Sequence, residues 1–198
     1  MDKLLTVIVP AYNMEQYIEK CCKSLLLPEK KMNLIEVLII NDGSTDKTSE
    51  LGHFFQSQYP EVFKIIDKKN GHYGSCVNEG LKLATGKYVK ILDCDDTFDT
   101  TVFDSYVDIL ERCDADLVIT DFTMVDKDNK KIKTIHYSLE TNIVQNTSTL
   151  PSTLYENFAM HAVTYKTELL KEIDYTQTEG IMYTDQEWIF YPMSNMNT

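Results

Sequence analysis

The feature that most constrains this chain is an alternation. Short β-branched apolar runs trade places with longer segments of helical spacing through its first two-thirds, the order of βαβ units that feed a mostly parallel sheet. Leu4 to Pro10 is a continuous apolar run, which reads as a strand buried on both faces. From about Met14 to Leu27, the residues Tyr17, Ile18, Cys21, Cys22, Leu25 and Leu26 share one helical face, and Pro28 ends that helix. Ile35 to Ile40 repeats the strand pattern. The turn Asn41-Asp42-Gly43-Ser44 follows, then a helix from about Thr45 to Tyr59 with Ser44 or Thr45 as its N-cap. Phe63 to Ile66 predicts a third strand, Ser75 to Ala84 a helix, Tyr88 to Leu92 a fourth strand, and Val102 to Leu110 a further helix.

Leu117 to Val125 predicts a fifth strand, and Asp126 to Asn129 a hairpin turn joining it to Ile132 to Tyr137, where the sheet is expected to become mixed. Past Ser138 the pattern predicts a helix near Leu154, a strand over Ala162 to Tyr165, a helix over Thr167 to Glu172 and a last helix from Asp185. The expected fold is therefore α/β, in three layers, within one domain of 198 residues. Ile189 to Thr198 reads as a helix stopped partway, so the chain is expected to be truncated at its C-terminus.

Nineteen Lys and Arg against thirty-one Asp and Glu leave a net charge of -12. Such a surface repels polyanions, which argues against nucleic acid as a partner. The N-terminus lacks a signal-like apolar region, and no apolar run approaches the roughly 20 residues of a membrane span. Five cysteines form an odd count without a Cys-x-x-Cys pair, so the chain is expected in a reducing cytoplasm and the sequon at Asn146 carries no meaning there.

In an open α/β sheet the ligand crevice lies outside the carboxyl ends of the strands. Four loops fall there: Pro10-Ala11-Tyr12-Asn13, Asn41-Asp42-Gly43-Ser44, Asn70-Gly71-His72-Tyr73-Gly74 and Asp93-Cys94-Asp95-Asp96. Asp-x-Asp itself selects nothing, because it occurs three times. Asp114 and Asp116 lie between a helix and a strand, and Asp126 and Asp128 sit in a lysine-rich hairpin, so both pairs read as surface turns. Only Asp93 and Asp95 end a buried strand, where alternation would point both carboxylates one way and Cys94 the other. Two hard oxygen donors on one side suit Mn²⁺ or Mg²⁺. The four histidines show no metal-ligand spacing and read as surface or core residues, and Trp188 reads as helix core.

These residues carry a resemblance. Val7 to Asn13 with Glu15, then Ile39 to Asp46, then Asn70-Gly71 with Asn78-Glu79-Gly80-Leu81, then Gly86 to Asp96 are similar in kind and order to the motifs of family 2 glycosyltransferases of the GT-A fold, bacterial type. The resemblance implies a nucleotide-sugar half over residues 1–100 and an acceptor half over 101–198. It places Pro10, Ala11 and Tyr12 in the nucleotide site, with Asn13, Glu15, Asn70, Asn78 and Cys94 among the donor-binding residues. Asp42 would meet the base, and Asp93 and Asp95 would hold ribose, metal and diphosphate, Asp95 as the direct metal ligand. In Tyr183-Thr184-Asp185-Gln186-Glu187 it makes Asp185 the general base of an inverting transfer and Glu187 the fallback, with Thr184 in place of the usual Glu. Val77 stands where many relatives carry Arg, leaving Lys82, Lys87 or His72 to compensate. The implied reaction moves a sugar from a nucleotide-diphosphate sugar, UDP-linked because Asp42 suits an imide donor, to a saccharide or lipid-linked saccharide in surface polysaccharide synthesis. Missing C-terminal sequence would carry any peripheral membrane association.

Two other readings compete. Val89 to Thr97 resembles the first motif of haloacid-dehalogenase phosphohydrolases, in which Asp93 would be the nucleophile and Asp95 the acid/base. A GT-A domain that binds a nucleotide sugar without transferring it would also accommodate Thr184 and Val77. A sugar nucleotidyltransferase fits less, since the first strand ends without a Gly-rich phosphate loop.

Overall fold

A computed structural model describes residues 3–140, 143–151 and 158–198. The helix expected near Leu154 lies outside them. Chain order is β1 (Leu5–Ala11), α1 (Ile18–Ser24), α2 (Glu29–Met32), β2 (Ile35–Asn41), α3 (Thr48–Gln58), β3 (Phe63–Asp67), α4 (His72–Leu83), β4 (Tyr88–Ile91), α5 (Thr100–Arg112), β5 (Leu117–Ile119), β6 (Phe122–Val125), β7 (Lys131–Ile135), β8 (Val163–Lys166), α6 (Thr167–Glu172) and α7 (Asp185–Met193). The main sheet runs β3-β2-β1-β4-β8-β5. Its first four strands are parallel, and β8 lies antiparallel to both neighbours.

Every residue of β1 and β2 is buried, which is what a continuous apolar run between two helical layers requires. The period of two divides the core. Leu5, Val7, Val9, Val37 and Ile39 pack with Ile18, Cys21, Phe55 and Phe103 from α1, α3 and α5 on one face. Ile8, Leu38, Ile40, Val89 and Ile91 pack with Cys76, Leu170 and Trp188 from α4, α6 and α7 on the other. Trp188 is fully buried, with its ring edge-on to Tyr165 at 5.0 Å.

Two expectations need correction. The stretch 117–125 is two strands, because Thr120 and Asp121 turn the chain out of the main sheet: the Thr120 amide donates to the Ala162 carbonyl at 2.9 Å, and Asp121 accepts from the Tyr137 amide at 3.0 Å. The hairpin β6–β7 is then a sheet of its own, and β8 rather than the hairpin makes the main sheet mixed. The last helix also closes inside the chain, at Met193 with Pro192 in its final turn. The surface readings of the other Asp-x-Asp pairs hold. Asp114 pairs with Lys87 and Lys166, and Asp126 accepts the Asp128 and Lys130 amides of its turn.

Candidate functional site

The loops after β1, β2, β3 and β4 meet at one sheet edge and fasten one another. Asn13, at φ 55, donates its amide to Ser44 Oγ at 2.9 Å and accepts the Thr45 amide on Oδ1 at 2.9 Å. Asn is among the few side chains that take this left-handed conformation readily. Glu15 accepts the Lys47 amide at 3.0 Å while its own amide donates to Asp46. The side chains of Asn13 and Glu15 thus join two loops, and Tyr12 stands half-exposed above them while Pro10 and Ala11 are buried in β1.

Asp42 is buried, and one of its oxygens accepts from Lys68 Nζ at 2.6 Å and from the Gly71 amide at 2.9 Å. Asn70 donates its side-chain amide to the Asp42 carbonyl at 2.9 Å. Gly43, at φ +75, sits so close that a Cβ there would meet the Asn70 nitrogen at 3.1 Å. Asp42 therefore anchors the 68–71 loop, with Lys68 as its cationic partner. Of the residues expected to compensate for Val77, Lys82 pairs with Glu79 and Lys87 lies at the opposite end of β4 with Asp114, which leaves His72 exposed at the crevice. Val77 itself is fully buried against the sheet.

The ladder of β4 stops at Ile91, so Asp93 to Asp96 form a turn closed by the Asp96 amide donating to the Asp93 carbonyl at 2.9 Å. Cys94 is buried in the core with Cys21 and Cys22, so its side chain lies away from the crevice where the resemblance placed it. Asp95 is exposed. The turn, however, brings Asp96 rather than Asp95 beside Asp93 and His161, the ligand atoms of these three lying within 4.8 Å of one another. His161 Nδ1 is 3.2 Å from an Asp96 oxygen yet, though buried, makes no hydrogen bond. Burial pushes the Asp93 carboxyl up, the Tyr73 hydrogen bond and the charge of His161 oppose this, and Asp96 and Asp95 add to it. Burial also pushes Asp96 up, against His161. Clustered carboxylates that resist ionisation beside an imidazole nitrogen lacking a hydrogen bond form a donor set that a divalent cation fits.

Three further residues shape this turn. Tyr73 donates its hydroxyl to Asp93 at 2.7 Å. Burial first, then the charge and hydrogen bond of Asp93, raises the Tyr73 phenol, and the charge of Asp185 adds to this. Lys90 is buried, donating to the carbonyls of His161 at 2.7 Å and Val163 at 3.3 Å. Asp185, half-buried, opens α7 directly after Thr184. Glu187 accepts the Thr178 amide at 2.7 Å, and both ends of the Asn78 amide bond to the Gln177 backbone. Asp96, His161, Tyr73, Lys68 and Lys90 carry no motif of their own. Tyr73, Asp96 and Lys90 lay inside stretches already marked in the sequence but were given no role there, while Lys68 and His161 reach the crevice only through tertiary structure.

The family model for glycosyl transferase family 2 matches residues 6–173, a span that holds all four crevice loops. The chain belongs to this family. Among curated relatives it is 33% identical over 197 residues to the uncharacterized glycosyltransferase MG025 of Mycoplasma genitalium, covering 95% of this chain and 64% of that protein. It is 43% identical over 102 residues to the Mycoplasma pneumoniae homolog of MG025, covering 50% of this chain and 34% of that one. The chain thus spans between about a third and two thirds of these curated relatives. Among solved structures, TarS of S. aureus in complex with UDP-GlcNAc superposes with a TM-score of 0.77 at 22% identity, over 97% of this chain and 54% of that one. The mannosyltransferase PcManGT of Pyrobaculum calidifontis, in complex with GDP-Man and Mn²⁺, gives 0.63 at 18%, over 93% and 50%. The fold of this family 2 chain is GT-A. No helix among the described residues is long and apolar enough to cross a membrane.

Proposed function

We propose that the protein is an inverting, metal-dependent glycosyltransferase that moves a sugar from a nucleoside-diphosphate sugar to a hydroxyl of a saccharide or lipid-linked saccharide. Residues 1–100 would bind the donor and 101–198 would begin the acceptor side. The observation that carries this reading is the convergence of Asp93, Asp96 and His161 at one edge of the sheet, with Asp185 opening α7 on the face of the sheet where α4 also packs. A solved relative by fold holds a UDP-sugar and another a GDP-sugar. Asp42 inclines the choice to uridine, whose imide N–H an aspartate accepts.

In the proposed reaction Asp185 takes the proton of the acceptor hydroxyl as its oxygen bonds to the anomeric carbon. The bond from that carbon to the diphosphate oxygen breaks on the opposite face, so the configuration inverts. Mn²⁺ or Mg²⁺, held by Asp93, Asp96 and His161, would supply positive charge against the departing diphosphate. Tyr73 holds one oxygen of Asp93, and Lys90 fixes the backbone that carries His161. The phosphohydrolase alternative is not retained, because the family match includes the strand and turn on which it rested.

The test is release of UDP by the full-length protein from UDP-glucose, UDP-galactose and UDP-N-acetylglucosamine, with Mn²⁺ and with EDTA. Metal-dependent release from one donor, lost in Asp185→Asn with UDP affinity kept, is the expected result. Binding without release would favour a domain that holds nucleotide sugars without transferring them. Full turnover by Asp185→Asn would remove Asp185 from the mechanism.

A further inference from the structure

We infer that Gln177 is a positioning residue for Asp185, and that with Asn78 and Thr184 it ties the start of α7 to α4. The inference rests on the reading of Asp185 as the base. Between α6 and α7 the chain has no regular structure over residues 174–184, so something other than a backbone ladder must fix where α7 begins. Gln177 is 2% exposed. Its Nε2 donates to Thr184 Oγ1 at 2.6 Å and to the Thr184 carbonyl at 3.1 Å, and its Oε1 accepts from Tyr175 at 3.4 Å. Its backbone is gripped in turn: the Gln177 amide donates to Asn78 Oδ1 at 2.8 Å, and Asn78 Nδ2 donates to the Gln177 carbonyl at 2.9 Å and to Glu179 at 2.8 Å. Asn78 belongs to α4, whose Gly74 lets the Thr178 carbonyl approach to 2.0 Å from where a Cβ would stand.

The local conformation before Asp185 is unfavourable without this clamp. Thr184 is the N-cap of α7, a position where a Thr hydroxyl ordinarily accepts a helix amide, but here it makes no such bond and accepts from Gln177 instead. Tyr183, 86% exposed, is held at φ 62, a left-handed conformation rare for a bulky side chain. Strain of this kind persists only where the surroundings over-determine it, and it gathers at sites whose geometry must be fixed. The clamp also suits the replacement of the expected Glu at 184: a short hydroxyl leaves room for the buried Gln177 amide, whose own backbone is held by Asn78 of α4. Gln177 touches no reacting atom. Its effect on transfer would pass through the placement of Asp185.

The experiment measures kcat for UDP release from the three UDP-sugars named above, UDP affinity, and amide exchange across α7, in the full-length protein and in Gln177→Leu and Thr184→Val. Small misplacements of a catalytic group can lower rate by about 100-fold, so kcat is expected to fall about 10- to 100-fold in both variants with UDP affinity and donor KM unchanged. Adding Gln177→Leu to Asp185→Asn should then cost no further rate. Exchange across α7 should accelerate while that of β1 and β2 stays the same, a readout that needs no turnover. Wild-type kcat or wild-type exchange in both variants would overturn the inference, as would a loss of UDP affinity matching the loss of kcat. Turnover retained by Asp185→Asn fails the base assignment instead, whatever Gln177→Leu does.

Discussion

Lys90 stands in an environment at odds with its type, a lysine 3% exposed. Burial pushes its ammonium from 10.5 down to about 7, and Asp96 only partly opposes this. Between those two values the unfolded chain binds a proton that the folded chain does not, so this group makes stability rise with pH, by at most about 1.4 kcal/mol per pH unit. Below pH 7 both states are protonated and the slope vanishes. Urea midpoints at pH 7.5, 8.5 and 9.5 should therefore climb more steeply for the wild type than for Lys90→Met, and parallel curves would contradict the assignment. A second residue-scale expectation concerns the metal. Mn²⁺ affinity, read by paramagnetic relaxation of water protons, should fall about tenfold or more for Asp93→Ala and at least several-fold for His161→Ala, since removing one donor or its support costs metal sites about 10- to 100-fold. An unchanged affinity in His161→Ala would leave only the carboxylates as ligands. Sequence reasoning reached Asp93 through its place after a buried strand. It passed over His161 because a lone histidine has no spacing to read, and only β8, pairing antiparallel with β4, sets residue 161 beside residue 96.

At the scale of elements, the strands that were plain in the sequence are those whose two faces are both buried. β1, β2 and β4 read directly because burial on both sides enforces an apolar run. β6 and β7 are largely exposed, so their pattern carries no face, and the break at Thr120 and Asp121 could not be seen without the partners that hold it. Helix starts were displaced for a similar reason. Ser44 and Thr45, good caps by type, are engaged with Asn13, and α3 begins only at Thr48, whose amide donates to Asp46. The packing of α4 against the 174–184 segment gives the element-scale prediction. Gly74→Ala would drive a methyl into the Thr178 carbonyl, and overpacking of this kind costs about 1–3 kcal/mol. The urea midpoint should fall accordingly. A change within error would mean that the segment can withdraw from α4 freely, and would weaken the clamp argued for Gln177 as well.

For the whole molecule, the net charge of -12 divides by place. Asp104, Asp108 and Asp114 are paired with lysines on the outside, and Asp42 is paired with Lys68 inside the crevice, while Asp93 and Asp96 lie where burial and neighbouring carboxylates leave them in want of positive charge. The GT-A fold and the position of the crevice were legible early, because four loops at the carboxyl ends of parallel strands can only meet at one edge. The allocation of work within the crevice was not, since Asn13, Glu15 and Asn78 are spent on holding loops together and such use depends on neighbours distant in sequence. All the loops proposed to bind the donor lie within residues 1–100, with His161 added from β8's leading turn. This chain of 198 residues should therefore bind the nucleotide by itself. The most direct test is calorimetric titration of UDP into it with Mn²⁺ and with EDTA, alongside Asp93→Ala. Binding that Mn²⁺ strengthens, and that Asp93→Ala reduces to the EDTA level, is the expected result; equal binding in all three conditions, or none, would contradict the assignment of this crevice to a nucleoside-diphosphate sugar and its metal.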